Sequence, residues 1–131
     1  MLTPDSIEGL ISEVAKAADL CMKPYAHSVF LENQLDDENF LEELIFKIQC
    51  RNIDGVREES MDIELEVYKS GNELNMTISW KSLIDRPILW QGKHPVWMDS
   101  SSGLQCEMPS YGKLFESLAR RLRTVLKTLL A

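Results

Sequence analysis

Residues 61–80 read MDIELEVYKSGNELNMTISW, and this stretch has the pattern of a complete β-hairpin. Apolar and polar residues alternate on both sides of Gly71-Asn72, as expected for two strands that each bury one face. Gly71-Asn72 can adopt the positive φ angles of a two-residue turn. Such a turn pairs Val67 with Met76, Leu65 with Ile78, and Ile63 with Trp80 on the apolar face. A slip of one residue would oppose apolar and polar side chains, so the pattern predicts the register as well as the strands.

The polar face of the hairpin carries three carboxylates, Asp62, Glu64 and Glu66. Carboxylates can perform acid–base chemistry when burial raises a pKa. Their regular alternation with apolar residues favours a solvent-facing surface instead. The same register places Asp62 opposite Lys81, which predicts a cross-strand charge pair.

The stretch Ser110–Leu130 is predicted to be an amphipathic α-helix capped by Ser110. Its apolar residues recur every three or four positions: Tyr111, Leu114, Phe115, Leu118, Leu122, Val125, Leu126 and Leu129. Its charged residues are five basic and one acidic: Lys113, Arg120, Arg121, Arg123, Lys127 and Glu116. The apolar stripe predicts that this helix packs on the apolar face of the hairpin.

A second amphipathic helix is predicted at the beginning of the chain. Thr3 can cap its free N–H groups, and Pro4 suits the first helical position. Its apolar face comprises Ile7, Leu10, Ile11, Val14, Ala18, Cys21 and Tyr25. Pro24 disfavours helical geometry at the preceding residue, so the helix is expected to end or kink at Lys23.

Two stretches between this helix and the hairpin fit more than one structure. Residues 26–34 suit either a short strand or a loop over the core. The acidic run Asp36-Asp37-Glu38 would favour a helix beginning at Glu38. Residues 40–53 fit both a helical and a strand period, and a short helical turn that passes into a strand near Phe46 is favoured.

Turn residues and alternation organise the remaining segments. They predict a loop at Asn52–Glu59, short strands at Ile88–Gln91 and Val96–Asp99, and an edge strand at Leu104–Met108. Pro95 lacks a backbone N–H and therefore belongs at a sheet edge or at the start of a strand.

Together these segments predict an α+β fold. Its antiparallel sheet has about four to five strands centred on the 61–80 hairpin, and an N-terminal and a C-terminal amphipathic helix pack on it. The length of 131 residues predicts a single domain, 1–131. No apolar run approaches the roughly 20 residues of a membrane span, and the first residues lack the features of a secretory signal.

Cysteine usage and charge suggest a compartment and narrow the partners. Three cysteines at wide spacing are typical of free thiols in a reducing cytoplasm. The formal net charge is −7, and because the last helix is basic, the rest of the chain is more acidic still. An acidic surface repels phosphates, which argues against nucleic acid as a partner.

No constellation with a known chemistry is present in the sequence. The two histidines, His27 and His94, lack metal-ligand spacing, and the chain contains no phosphate-binding loop or nucleophile elbow. Cys21 lies on an apolar helix face and is interpreted as a core residue. A Cys/His pair could still meet in space. The sequence therefore predicts no catalytic residue, no metal and no cofactor.

Trp80, Trp90 and Trp97 are all the tryptophans of the chain and lie close together in sequence. The simpler interpretation is that they pack in the core. The alternative is a partly exposed aromatic patch, with Trp97 beside His94 as the best candidate for an interface anchor.

The basic stripe of the last helix, Arg120, Arg121, Arg123 and Lys127, has three interpretations. It can interact with the negative helix C-terminus, pair with an acidic surface of this chain or of a partner, or bind nucleic acid. The first is favoured, and the third is the weakest because no base-stacking motif accompanies the arginines.

The leading hypothesis for function is a small cytoplasmic protein-interaction or regulatory module without catalytic activity, which binds a protein partner or itself. The alternative is a small-molecule-binding or enzymatic domain with a pocket between sheet and helix lined by Trp80, Trp90 and His94. The weak candidates for ligand or partner contacts are Trp80, Trp90, His94, Trp97, Arg120 and Arg123. The layout is similar in outline to type III secretion chaperones, in architecture and charge only, which implies no function.

Overall fold

A computed structural model of the protein describes residues 4–32 and 43–130. Two α-helices, six strands and one short 3-10 helix at Glu59–Met61 are found in these residues. The elements are α1 Pro4–Cys21, β1 Ala26–Leu31, β2 Glu43–Arg51, β3 Ile63–Ser70, β4 Glu73–Trp80, β5 Ile88–Gln91, β6 Pro95–Met98 and α2 Gly112–Leu130. The strands form one sheet in the order β1-β2-β3-β4-β5-β6, and every neighbouring pair is antiparallel.

The predicted hairpin is confirmed with its register. Val67 pairs with Met76, Leu65 with Ile78, and Ile63 with Trp80. Gly71 has a φ angle of 65°, which a residue with a side chain rarely adopts and which the tight turn requires. The apolar members of both strands are buried, so packing and turn geometry specify the same register.

The two helices cover one face of this sheet; within residues 4–32 and 43–130 no helix packs on the other face, which we call the open face. Helix α1 contacts β1 and α2, and α2 contacts β4 and β5. Their buried residues and the inward residues of the strands belong to a single hydrophobic core. Both predicted helices are confirmed, although the Thr3 cap lies outside the described residues.

An aromatic group fills the core beneath the first turns of α2. The ring of Phe115 lies 4.8 Å from Trp80, 5.2 Å from Tyr111 and 6.1 Å from Trp97, centroid to centroid. Trp80 and Trp97 are 5% and 4% exposed. The core interpretation is thus correct for two of the three tryptophans.

The sheet has six strands instead of the expected four to five, and the stretch that fitted either a strand or a loop is one of them. Residues 26–31 form β1, and β2 already begins at Glu43, so the helical turn favoured before Phe46 is wrong for residues 43–45. The stretch follows the two-residue period of a strand because Leu44, Phe46 and Ile48 fill the core face of the sheet. The acidic run 36–38 and the helix expected from Glu38 lie outside the described residues.

The segment before α2 is less regular than predicted. Residues 104–108 do not form an edge strand, and a single bridge pairs Met98 with Gln105. Leu104 and Met108 are exposed, so these two side chains do not form the buried face of a strand. Helix α2 begins at Gly112, and Ser110 occupies the turn before it instead of capping it.

Asp62 also departs from the prediction. It precedes β3, is 6% exposed, and directs its carboxylate to Arg57 and to the backbone N–H of Cys50. Burial opposes ionisation of the Asp62 carboxyl, but hydrogen bonds from Arg57 and the Cys50 N–H, together with the charges of Arg57 and of the predicted partner Lys81, lower its pKa. The Lys81 N–H also donates to the Asp62 carbonyl at 3.0 Å. The alternation of β3, extended beyond the end of the strand, wrongly predicts that the Asp62 side chain is exposed to solvent.

Candidate functional site

The six residues proposed from sequence do not form one site. Trp80 faces the helices, whereas Trp90, which pairs with Thr77 on β4, faces the open side of the sheet. His94 is exposed in the turn between β5 and β6. The pocket expected between sheet and helix from Trp80, Trp90 and His94 is therefore not formed by these residues.

The two candidate arginines of α2 have different surroundings. Arg123 donates to the Leu74 carbonyl at 2.7 Å and pairs with Glu73 at 3.5 Å, with its side chain 13% exposed. Arg123 thus fastens α2 to the start of β4. Arg120 is exposed and lies 3.7 Å from Glu116.

Arg120 also lines a surface cavity of about 540 Å³ between α1 and α2, together with Leu20, Cys21, Ser117, Arg121, Thr124 and Val125. Burial raises the pKa of the Cys21 thiol, and the neighbouring Arg121 guanidinium partly opposes this. The thiol is therefore not activated, and the cavity is an open cleft between two helices.

The open face of the sheet has a second cavity of about 360 Å³ near the turn between β5 and β6. We call it the Trp90 groove; its lining residues are Glu73, Asn75, Trp90, Gly92, Lys93, His94 and Val96. It brings together two of the predicted residues, Trp90 and His94. The sequence did not single out Asn75 or Gly92, because an isolated Asn and a Gly in a turn look ordinary.

Glu66 occupies the middle of the open face. Burial raises the pKa of its carboxyl, and a hydrogen bond and negative charge from Glu43 raise it further, as does the charge of Glu64. Glu64 and Glu66 do lie on the open face as predicted, but both are half-buried there. The face of the sheet that was predicted to be solvent-exposed is therefore partly shielded from solvent at these carboxylates.

A polar contact between the exposed Asp19 and the buried His27 joins the end of α1 to β1. Asp19 Oδ1 is 2.9 Å from the ring Nδ1 of His27 and accepts the His27 backbone N–H at 2.7 Å. His27 faces Cys50 across β1 and β2, so the order Asp-His-Cys resembles that of a catalytic triad.

The Cys50 thiol is a poor nucleophile in this arrangement. Burial, followed by the charges of Asp62 and Glu58, raises the pKa of Cys50 to about 11. The side chain is fully buried, and a protonated thiol without access to solvent does not attack a substrate. The group stabilises the fold by tying α1 to β1.

The most distinctive surface is one end of the domain. The connections α1–β1, β2–β3, β4–β5 and β6–α2 all lie there because the sheet is an antiparallel meander, and we call this the loop end. Eight large apolar residues are exposed in the described part of the chain. Seven lie in these loops or in the adjoining helix turn: Leu20, Ile53, Val56, Ile84, Leu104, Met108 and Leu114. The eighth, Phe30, lies near the end of β1, towards the opposite end.

The loops of this end are held in place by hydrogen bonds. Ser82 donates to the Glu59 carbonyl at 3.2 Å, and the Tyr111 hydroxyl donates to the Pro87 carbonyl at 2.9 Å. Each bond joins two different connections. The apolar side chains are therefore presented on an ordered framework.

The described residues can be compared with the requirements of a metal centre and of a membrane-spanning helix. Within residues 4–32 and 43–130, no group of three or more His, Cys, Asp or Glu side chains is placed to hold a metal ion. Neither helix, as far as its residues are described, is long and apolar enough to cross a membrane.

The fold defines an α+β protein in which two helices cover one face of a six-stranded antiparallel meander. The chain belongs to the family described as Domain of unknown function (DUF8659), whose model matches residues 11–125. No curated protein and no solved structure matches the chain.

Proposed function

We propose that the protein is a small interaction module that binds a protein partner, or a second copy of itself, through the loop end. The observation that carries this proposal is that, of the eight large apolar side chains exposed in the described part of the chain, seven lie at that end. Single exposed apolar residues are normal on a protein surface, whereas their accumulation in one region is typical of an interaction site.

The energies involved are sufficient for a specific complex. Ile53, Ile84 and Leu104 are 80%, 76% and 70% exposed. Burying such a side chain fully contributes about 1.5–3 kcal/mol, so a few anchors of this size outweigh much of the cost of association. Little conformational entropy is lost on binding where the loops are already ordered.

Charge and cysteine chemistry support a protein partner in a reducing compartment. The net charge of −7 opposes phosphate, so an apolar loop surface suits a protein better than a nucleic acid. All three cysteines are free thiols, which agrees with a cytoplasmic location. The proposal assigns no catalytic role, and the buried Cys50 thiol, whose pKa is raised to about 11, is unsuited to one.

The proposal is tested by removing three anchors together. The variant Ile53→Ser/Ile84→Ser/Leu104→Ser is compared with wild type in quantitative affinity capture from native cells and in sedimentation over a range of concentrations. We expect loss of the captured partner or of the dimer, by roughly tenfold for each anchor that the complex buries.

Phe30→Ser is the matched control, because it removes an exposed apolar side chain away from the loop end. Sedimentation separates a second copy from a different partner. Equal capture and equal self-association by wild type and triple variant would contradict the proposal.

A further inference from the structure

A side-chain amide without a partner lines the Trp90 groove. Asn75 is 6% exposed and contributes to the groove wall. Its side chain has no hydrogen-bond partner among the described residues, although Asn offers donors and an acceptor. The amide atoms of Asn75 are not among the fully enclosed polar atoms of the described residues, so they reach the surface of the groove and can be contacted from it. An unpaired amide that opens into a groove is therefore a place for a ligand.

The aromatic wall of the groove is held in one position. The Trp90 indole Nε1–H donates to the Tyr68 hydroxyl at 2.9 Å. The same ring lies against Gly92, where a Cβ atom would overlap it. Trp90 is only half-buried, so the groove presents an indole whose orientation is fixed before any ligand binds.

We propose that the Trp90 groove binds a small aromatic amide or a ligand with an equivalent planar edge. The ring of the ligand packs on Trp90 and Val96, and its amide exchanges a donor and an acceptor with Asn75. A carboxamide matches the Asn side chain because each group has an N–H and a C=O side by side.

Size and charge agree with a small neutral ligand. The cavity of about 360 Å³ lies at the lower end of the roughly 300–1,000 Å³ typical of ligand pockets. Glu73 is paired with Arg123, while Lys93 and His94 are exposed at the rim. A neutral amide bound to the Asn75 side chain is thus not placed against an unpaired charge.

This site is independent of the proposed protein interaction. The groove lies beside the turn between β5 and β6, at the end of the sheet opposite the loop end. Either proposal can fail while the other holds.

The test uses benzamide as the probe and two-dimensional ¹H–¹⁵N NMR of the whole chain. We expect saturable shifts in the millimolar range that are confined to the Asn75 side-chain amide, the Trp90 indole N–H and their neighbours in the groove. N,N-dimethylbenzamide keeps the ring and the acceptor but cannot donate, so we expect it to bind at least several-fold more weakly.

Asn75→Leu removes the amide while keeping a side chain of similar size, and Gln49→Leu removes a half-buried amide elsewhere on the same sheet face. Benzamide binding should be lost in Asn75→Leu and unchanged in Gln49→Leu. Absence of saturable shifts, equal binding of the two probes, or undiminished binding by a folded Asn75→Leu would overturn the proposal. The comparison of probes on wild type decides the matter even if Asn75→Leu fails to fold.

Discussion

Arg57 and Asp62 form a bidentate ion pair at the base of the connection between β2 and β3. Arg57 Nη1 lies 2.8 Å from Asp62 Oδ1, and Nη2 lies 2.7 Å from Oδ2. Asp62 Oδ1 also accepts the backbone N–H of Cys50 at 2.8 Å, and Arg57 donates to the Cys50 carbonyl. The pair thereby ties both ends of the loop that carries Ile53 and Val56 to the end of β2.

Removing the carboxylate of this pair should destabilise the protein. Asp62→Ala leaves the buried Cys50 N–H and the Arg57 guanidinium without their partner, and we expect a loss of about 2–4 kcal/mol in the free energy of unfolding. Urea denaturation measures this change. Asp54→Ala, in the exposed part of the same loop, should stay within about 0.5 kcal/mol of wild type. Equal stability of the two variants would show that the ion pair does not hold the loop.

Two glycine substitutions distinguish a glycine required by steric contact from one that only adds backbone entropy to the unfolded chain. In Gly92→Ala the new methyl group meets the Trp90 ring, and we expect a loss of about 1–3 kcal/mol with altered indole fluorescence. Gly9→Ala lies in α1 with nothing near the new atom, and we expect a gain of about 0.5–1 kcal/mol. Thermal or urea unfolding followed by fluorescence measures both. A neutral Gly92→Ala would mean that the Trp90 ring is not fixed in place.

Two neighbours on α2 distinguish the core from the surface. Phe115 is fully buried among Trp80, Trp97 and Tyr111, so Phe115→Ala should cost about 3–5 kcal/mol. Leu114 is 44% exposed, and Leu114→Ala should change the unfolding free energy much less. Similar losses in the two variants would contradict the described orientation of α2.

Asp99 provides a test of the local electrostatics at the loop end. The Ser101 hydroxyl donates a hydrogen bond to Asp99, and so do the backbone N–H groups of Ser101 and Ser102 and the Ser102 hydroxyl. Together these bonds lower the pKa of Asp99 to about 2. Because the pKa is lowered on folding, the stabilisation is present above the unfolded value of 3.8 and is lost as the pH falls through about 2.

We expect Ser101→Ala to raise the pKa of Asp99 towards its ordinary value, since the largest contribution comes from that hydroxyl. ¹³C NMR titration of the carboxyl group measures it. The control Ser100→Ala removes a hydroxyl of the same turn that does not contribute to the lowered pKa of Asp99, and it should leave the titration unchanged. An Asp99 that titrates normally in wild type would contradict the hydrogen-bonded turn.

Much of the fold could be predicted because local rules and burial agree. In the 61–80 hairpin, turn residues and alternation independently specify the same pairs, and both helices have unbroken apolar stripes. The stretch around Phe46 was misread over residues 43–45 because a short apolar run fits two periods, and only its long-range pairing with β3 resolves it.

The candidate sites were harder to predict than the fold. Trp80 and Trp90 are close in sequence yet lie on opposite faces of the sheet. The face of each ring depends on the register between β4 and β5, in which Trp90 pairs with Thr77. The alternation predicts that Asp62 continues the polar face of β3, but a partly buried ion pair with the loop residue Arg57 outweighs that pattern. Nothing in the sequence marks Asn75, whose unpaired amide is a property of its surroundings.

The most direct test of the loop end as the binding surface is site-specific photocrosslinking in native cells. p-Benzoylphenylalanine replaces Ile84 or Leu104, and Asn72 in the turn of the 61–80 hairpin serves as the control position at the opposite end. We predict discrete crosslinked products from positions 84 and 104 and none from position 72. Products from position 72 alone, or no products from any of the three positions, would contradict the assignment of the loop end as the interaction surface.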